Sequence, residues 1–248
     1  MTPVSGLNVQ VFADGADLDG IAALAANALI KGFTTNPTLM RKAGIEDYES
    51  FARNVLEIVP TLPVSFEVFA DDFDEMETQA RAIAAWGDNV NVKIPITNTK
   101  GEFAGPLVER LSNSGISVNV TALMEMEQVE KITACLDPSV TAFVSVFAGR
   151  IADTGRDPIP IMTEAVACLA QKPTAKLIWA SPRELLNIFH AEQCGCQVIT
   201  VTTDVLEKLP IIGKDLAQYS LETVEMFYRD ATSAGYRVFG ESQRATGE

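Results

Sequence analysis

Eight short runs rich in β-branched and apolar residues alternate along this chain with longer runs of helical periodicity, and that order constrains the fold more than any other feature. The strand candidates span 8–13, 32–35, 63–69, 89–94, 116–121, 141–147, 176–180 and 197–201. Helix candidates lie at about 17–30, 46–59, 73–86, 104–114, 124–135, 157–171, 183–193 and 203–208, and a ninth follows near 219–234. Asp17 and Asp74 have the short acidic side chains that cap helix N-termini, while Gly32, Gly87, Gly115 and Gly195 fall where helices should stop. A strand, helix, strand order repeated eight times requires parallel strands joined by crossovers, and closing eight of them removes both sheet edges. The expected fold is α/β, a single (β/α)8 TIM barrel with an extra C-terminal helix, running over all 248 residues with a mobile polar tail at 240–248. The competing architecture is an open doubly wound sheet. Its phosphate loop has no counterpart here, because the first turn reads ADGADLDG rather than G-x-G-x-x-G.

Charge and cysteine usage narrow the functional classes. A formal charge of −14 repels a phosphate backbone, and no Lys/Arg-rich run offsets it locally, so nucleic acid is not an expected partner. Nowhere do eighteen apolar residues follow one another, and the first residues lack a basic stretch leading into an apolar one, so neither a membrane partner nor a signal peptide is expected and the location is read as cytoplasmic. Cys135, Cys168, Cys194 and Cys196 lack the spacing of a zinc or CxxC site and are read as reduced structural thiols. His190 has no second His or Cys at ligand spacing and is read as structural. No metal and no organic cofactor is expected.

In a barrel of this kind the chemistry sits at the C-terminal ends of the strands. Almost every strand candidate places a polar residue there. Strand one ends at Asp14, strand two runs into Thr34, Thr35 and Asn36, and strand three carries Glu67. Strand four carries Lys93 in NVNVKIP, and strand five ends with Asn119 and Thr121. Strand six holds Ser145 and Phe147 with Arg150 just beyond, and strand seven leads to Ser181 and Arg183. Lys176, by contrast, opens its strand and belongs to the stability face.

Lys93 interrupts an apolar run that is buried on both sides, so its charge needs a partner or a purpose. Two readings stand side by side. A desolvated ammonium gives up its proton readily, and the neutral amine attacks carbonyls; equally, Lys93 is half of a buried ion pair with Glu67 or Asp14. Glu67 and Asp14 are proton-transfer groups in the first reading and charge balance in the second. The Thr121 hydroxyl could place a water or simply satisfy local backbone. Arg150, Ser181 and Arg183 could cradle a tetrahedral anion after the last strands, or Arg150 could pair with Asp153 or Asp157 at the surface. Trp86 and Trp179 are read as core or barrel-filling residues, with Trp179, two residues before Ser181, alternatively near the pocket.

Five ordered segments resemble the transaldolase family, in particular its shorter members, which include fructose-6-phosphate aldolases. GFTTNPTLM at 32–40 matches the TTNP signature, VKIP at 92–95 the Schiff-base strand, NVT at 119–121 the fifth strand, SVFAGRI at 145–151 the sixth, and ASPRE at 180–184 resembles ASFR. The resemblance covers roughly 8–235 and implies Lys93 as the Schiff-base lysine, with Asp14, Glu67 and Thr121 moving protons through a bound water. It further implies that Thr34, Asn36, Asn119 and Ser145 contact substrate hydroxyls, and that Arg150, Ser181 and Arg183 hold a phosphate. Aldolases of the family tend to carry Gln and Tyr where this chain has Glu67 and Phe147, which favours a transaldolase acting on sugar phosphates. Pro182, the GRIADTGRDP stretch and Leu123-Met124-Glu125 depart from the family pattern, and all flank the expected anion pocket. The helix near 219–234 resembles one that short members pack against a neighbouring subunit, which implies a homo-oligomer.

Overall fold

The structure, a computed structural model, describes residues 4–238. The expected tail at 240–248 lies outside the described residues. The chain divides into two compact units, of which the first runs to Leu209 and the second begins at Pro210.

The first unit is the expected barrel. Its strands are β1 Gln10–Asp14, β2 Ile30–Thr34, β3 Val64–Glu67, β4 Val90–Pro95, β5 Val118–Leu123, β6 Ala142–Val146, β7 Ala175–Trp179 and β8 Val198–Thr202. All pair in parallel in that order, and β1 bonds to both β2 and β8, which closes the sheet. The crossover helices are α1 Leu18–Ala25, α2 Pro37–Lys42, α3 Tyr48–Ile58, α4 Phe73–Ala84, α5 Gly105–Asn113, α6 Met126–Ala134, α7 Ala148–Asp153, α8 Ile159–Leu169 and α9 Leu186–Cys194, and α10 Thr203–Leu206 follows the last strand. No helix among the described residues is long and apolar enough to cross a membrane.

Alternation along each strand divides the side chains between two environments. Val64, Phe66, Val92, Ile94, Val118, Val120, Leu177 and Trp179 are fully buried between sheet and helices. Each large side chain buried there stabilises the fold by roughly 1.5–3 kcal/mol. The opposite faces fill the barrel, and they divide by chemistry. Phe12, Phe143, Ile178, Ala180 and Val198 form an apolar cluster with Phe147 packed against it. Gly32 lies in β2 rather than at a helix end as expected, and it is the space that calls for glycine there, since a Cβ would meet the Phe12 ring at 2.6 Å. Across the lumen Asn119 receives a hydrogen bond from Ser145 Oγ at 2.7 Å and donates to Ser65 Oγ at 3.0 Å. Ser117 Oγ donates to Asn91 at 2.7 Å. Buried polar groups that bond one another in this way avoid the cost of lying unpaired.

Several local expectations change. The helix expected at 17–30 stops at Ala25, and β2 begins at Ile30. Asp17 caps α1 through Gly20 N at 2.7 Å, but the cap of α4 is Asp72, which accepts from the backbone of Asp74 and Glu75. Capping requires an extended backbone before the first turn, which Asp72 has and Asp74, already inside the helix, lacks. Gly115 and Gly195 do adopt left-handed φ of 82° and 76° where helices end. Two short helices, α2 and α7, had no counterpart in the periodicity; both follow directly on strand ends.

The second unit contains α11 Leu216–Ser233, slightly earlier than expected. Asp215 caps it through Gln218 N at 2.8 Å, and Lys214 pairs with Glu222. Leu216, Leu221, Val224, Phe227 and Tyr228 are exposed on it.

Candidate active site

A cavity of about 390 Å³ opens at the C-terminal mouth of the barrel. Ten of the twelve expected site residues line it: Asp14, Thr34, Asn36, Glu67, Lys93, Thr121, Ser145, Phe147, Arg150 and Ser181. Asn119 and Arg183 do not. Asn119 is fully buried beneath the floor, in register with Lys93 of β4, and accepts from Ser145 of the cavity wall. Trp179 points outward, fully buried, with its ring 6.2 Å from that of His190, so it does not reach the pocket. Lys176 donates to Gln10 at 3.3 Å at the opposite end of the barrel, as its strand position requires.

Lys93 is 7% exposed at the cavity floor. Its Nζ lies 3.1 Å from Glu67 Oε2 and donates to the Thr35 carbonyl at 2.9 Å. That carbonyl is available because β2 has ended. Register places Glu67 directly beside Lys93 on β3 and β4, so the pair follows from strand pairing alone. Asp14 stands on the other wall and makes no direct ion pair with Lys93 among the described residues. It accepts from Thr34 Oγ1 at 2.8 Å and from Asn36 Nδ2 at 3.3 Å. Burial pushes its carboxyl above the ordinary value of 3.8, against the opposing pull of Lys93 and these two bonds.

Asn36 serves two elements at once. Its side-chain oxygen accepts from Leu39 N at 3.0 Å and caps α2, with Pro37 in the first helical turn, while its amide nitrogen faces Asp14. Among the described residues Thr121 Oγ1 is buried with no hydrogen-bond partner. The next residue, Ala122, has φ 67° where the β5–β6 register slips, a strained turn that sets the cavity wall. Such an orphan hydroxyl beside a cavity suits a water or a substrate oxygen.

The far wall carries the arginines. Arg150 lies over the Phe147 ring at 5.6 Å. Arg183 is held by Asp153, with Nε 2.9 Å from Oδ1, and its Nη1 donates to Ser181 Oγ at 3.0 Å. The carboxylate expected to engage Arg150 therefore engages Arg183, which in turn holds the Asp153 carboxyl below its usual range. Ser181 has φ 60°, and a Cβ on Gly149 would sit 1.6 Å from its carbonyl oxygen. Only glycine lets α7 approach this strained turn. Gly149→Ala is expected to destabilise the fold by at least about 1–3 kcal/mol. Urea unfolding reads this, and an unchanged midpoint would contradict the packing described.

Sequence reasoning missed Thr200, which lines the cavity from β8 in hydroxyl contact with Thr34. It also missed Thr38 and Leu39 of α2.

The chain matches the sequence profile of the family described as Transaldolase/Fructose-6-phosphate aldolase over residues 11–238. It is 33% identical over 215 residues, 85% of this chain and 96% of the other, to a probable transaldolase of Dehalococcoides mccartyi. A probable transaldolase of Methanococcus maripaludis is 34% identical over 216 residues, 85% of this chain and 95% of its own. Solved structures share the fold. KGPDC from Streptococcus mutans superposes with a TM-score of 0.55 at 8% identity, over 80% of this chain and 90% of that one. A 2,3-dimethylmalate lyase does so at 0.53 and 12% identity, over 96% and 88%. With the profile spanning nearly the whole described chain, the protein belongs to the transaldolase/fructose-6-phosphate aldolase family.

Proposed function

We propose that the protein is a transaldolase, which moves a dihydroxyacetone unit from a ketose phosphate resembling fructose 6-phosphate to an aldose phosphate through a Schiff base on Lys93, without metal or organic cofactor. The observation that carries this reading is the buried amine at the cavity floor, with the Glu67 carboxylate 3.1 Å away and the orphan Thr121 hydroxyl on the same wall. The names of the relatives point the same way.

In this mechanism Glu67 takes a proton from the Lys93 ammonium, the freed Nζ attacks the donor carbonyl at C2, and the hydroxyl so formed leaves as water with that proton, which leaves an iminium on Lys93 and Glu67 again as carboxylate. Asp14 takes the proton of the C4 hydroxyl, the C3–C4 bond breaks, and its electron pair runs into the iminium. An aldose phosphate departs and an enamine stays on Lys93. An acceptor aldehyde receives the pair at C3, Asp14 returns its proton to the new alkoxide, and water placed by Glu67 and Thr121 hydrolyses the imine. The raised proton affinity of Asp14 suits a group that must both take and return a proton. Thr34, Asn36 and Ser145 contact donor hydroxyls, with Asn119 orienting Ser145. Arg150 and Ser181 hold the terminal anion from the cavity wall, and Arg183, outside the cavity, orients Ser181 through its 3.0 Å bond to Oγ.

Phe147 offers no proton, so the enamine persists until an acceptor arrives. Transfer from fructose 6-phosphate to erythrose 4-phosphate is therefore expected, with little free dihydroxyacetone when the acceptor is withheld. Release at a rate equal to transfer would make the enzyme an aldolase instead. Phe147→Tyr is expected to shift the partition towards release, by supplying a hydroxyl that protonates the enamine carbon.

A second reading concerns the donor's terminus. Asp153 occupies the Arg183 fork and cancels one positive charge, which favours a singly charged terminus such as a sulfonate over a phosphate dianion. Comparing phosphorylated, sulfonated and plain ketoses as donors separates the two. A homo-oligomer is also proposed, supported by Leu221, Val224 and Tyr228, which lie exposed along one face of α11. Sedimentation equilibrium reads this, and a monomer at micromolar concentration would contradict it.

A further inference from the structure

Strand β2 leaves the sheet early. It pairs with β3 only where Phe33 meets Val64 and Thr34 meets Ser65; Thr35 N still reaches Ser65 O at 3.2 Å, and from Asn36 the chain turns into α2. Strand β3 continues along β4 until Glu67 lies beside Lys93, and Val68 N donates to the Lys93 carbonyl at 3.1 Å. Successive strand residues bond to opposite neighbours. Val64 and Val68 bond towards β4, so the N–H and C=O of Glu67 face the gap that β2 has left. Left unpaired in a protein interior, these two groups would each carry a desolvation cost.

The hydroxyl of Tyr48 fills that gap. It accepts from Glu67 N at 2.7 Å and donates to Glu67 O at 3.0 Å. The Asp47 side chain caps α3 immediately before Tyr48, accepting from Ser50 N at 3.0 Å, and so fixes where the tyrosine begins. Its ring is wedged edge-on against Phe66 and Trp86, with centroids 6.2 and 5.3 Å away, and lies 4.6 Å from Phe69. Burial pushes its phenol well above the usual value, so it remains a donor and an acceptor together at any working pH.

We propose that Tyr48 is a positioning residue, which sets the approach of the Glu67 carboxylate to Lys93 by replacing the missing strand at the Glu67 backbone. The inference rests on the proposed roles of Lys93 and Glu67. Nothing in the motif-bearing segments points to Tyr48, because it acts on main chain rather than on substrate.

The test is a double-mutant cycle on the full chain, read as the single-turnover rate of borohydride-trappable adduct formation from fructose 6-phosphate, which remains measurable after large losses. Tyr48→Phe keeps the ring contacts and removes only the hydroxyl. It is expected to lower this rate about 10–100-fold, the scale of a small misplacement of a catalytic group, while donor affinity changes less than twofold. On a Glu67→Gln background the same change is expected to matter less than twofold. Trp86→Phe, a neighbour that does not touch the Glu67 backbone, should leave the rate within twofold. Amide exchange supplies a second readout: Tyr48→Phe should speed exchange at Glu67 and leave Val68 protected. Equal losses on both backgrounds, a wild-type rate, or lost protection at both amides would each overturn the proposal. A wild-type rate for Glu67→Gln itself would overturn it too, and would trace the failure to the role given to Glu67.

Discussion

Lys93→Met is expected to lower kcat by at least about 10,000-fold, the loss typical when a covalent nucleophile is removed, while the protein stays folded. Methionine has nearly the length and volume of the lysine stem, so it fills the same space beneath the cavity. The charge it removes leaves two groups behind. Glu67 lies at the cavity rather than in sealed core, with 18% of its side chain exposed, so water can take up its carboxylate. The Thr35 carbonyl loses its Nζ donor, a cost of about 1–3 kcal/mol if nothing replaces it. A buried ion pair with a purely structural role behaves differently: breaking it costs about 3–5 kcal/mol of stability and spares turnover. Activity assays and thermal unfolding on the same variant therefore separate the two readings that the sequence left open for Lys93. A large loss of stability with turnover within tenfold of wild type would favour the ion pair.

Asp14→Asn is expected to cost about 100- to 1,000-fold in kcat, within the range of general acid–base groups, and to raise stability at neutral pH. The sign follows from the direction of the shift. Burial raises the Asp14 pKa in the fold, so the folded state favours the protonated form. The stabilisation this gives is fully present at acid pH, and is lost as pH climbs from the ordinary carboxylate value of 3.8 through the raised one. Above that window the wild type holds a charge that its surroundings disfavour. Asparagine never carries it. It can still accept from Thr34, and gives up only the longer 3.3 Å bond from Asn36. The stability difference between variant and wild type should thus grow across that window and level off above it, with titrations remote from Asp14 cancelling between the two proteins. Unfolding midpoints measured from pH 4 to 8 check this. A difference independent of pH, or a variant less stable at pH 8, would contradict the account.

The barrel was legible because two periods alternate cleanly: apolar strands buried on both faces, and helices with one buried stripe, such as Phe51, Ala52 and Val55 in α3. The strand ends were legible for the same reason. A Lys, an Asn or a Glu inside VNVKIP, VNVTAL or VSFE has no place in a dry sheet unless it faces the lumen. What was not legible has physical causes. Helices α2 and α7 are six residues each, too short for a period to show. Thr200 sits in VITVT, where threonine reads as an ordinary strand former. Arg150 and Asp153 look like a pair at helical spacing, yet Asp153 meets Arg183, a partner 30 residues away. Tyr48 lies on a helix and acts through backbone atoms of a strand it does not adjoin in sequence.

The most direct measurement is borohydride reduction of the enzyme during turnover with fructose 6-phosphate, followed by peptide mass mapping. The account predicts that one lysine, Lys93, gains the mass of a reduced ketose or dihydroxyacetone adduct, and that the labelled enzyme is inactive. An enzyme that turns over while Lys93 stays unmodified, or that is labelled at another lysine, would contradict it.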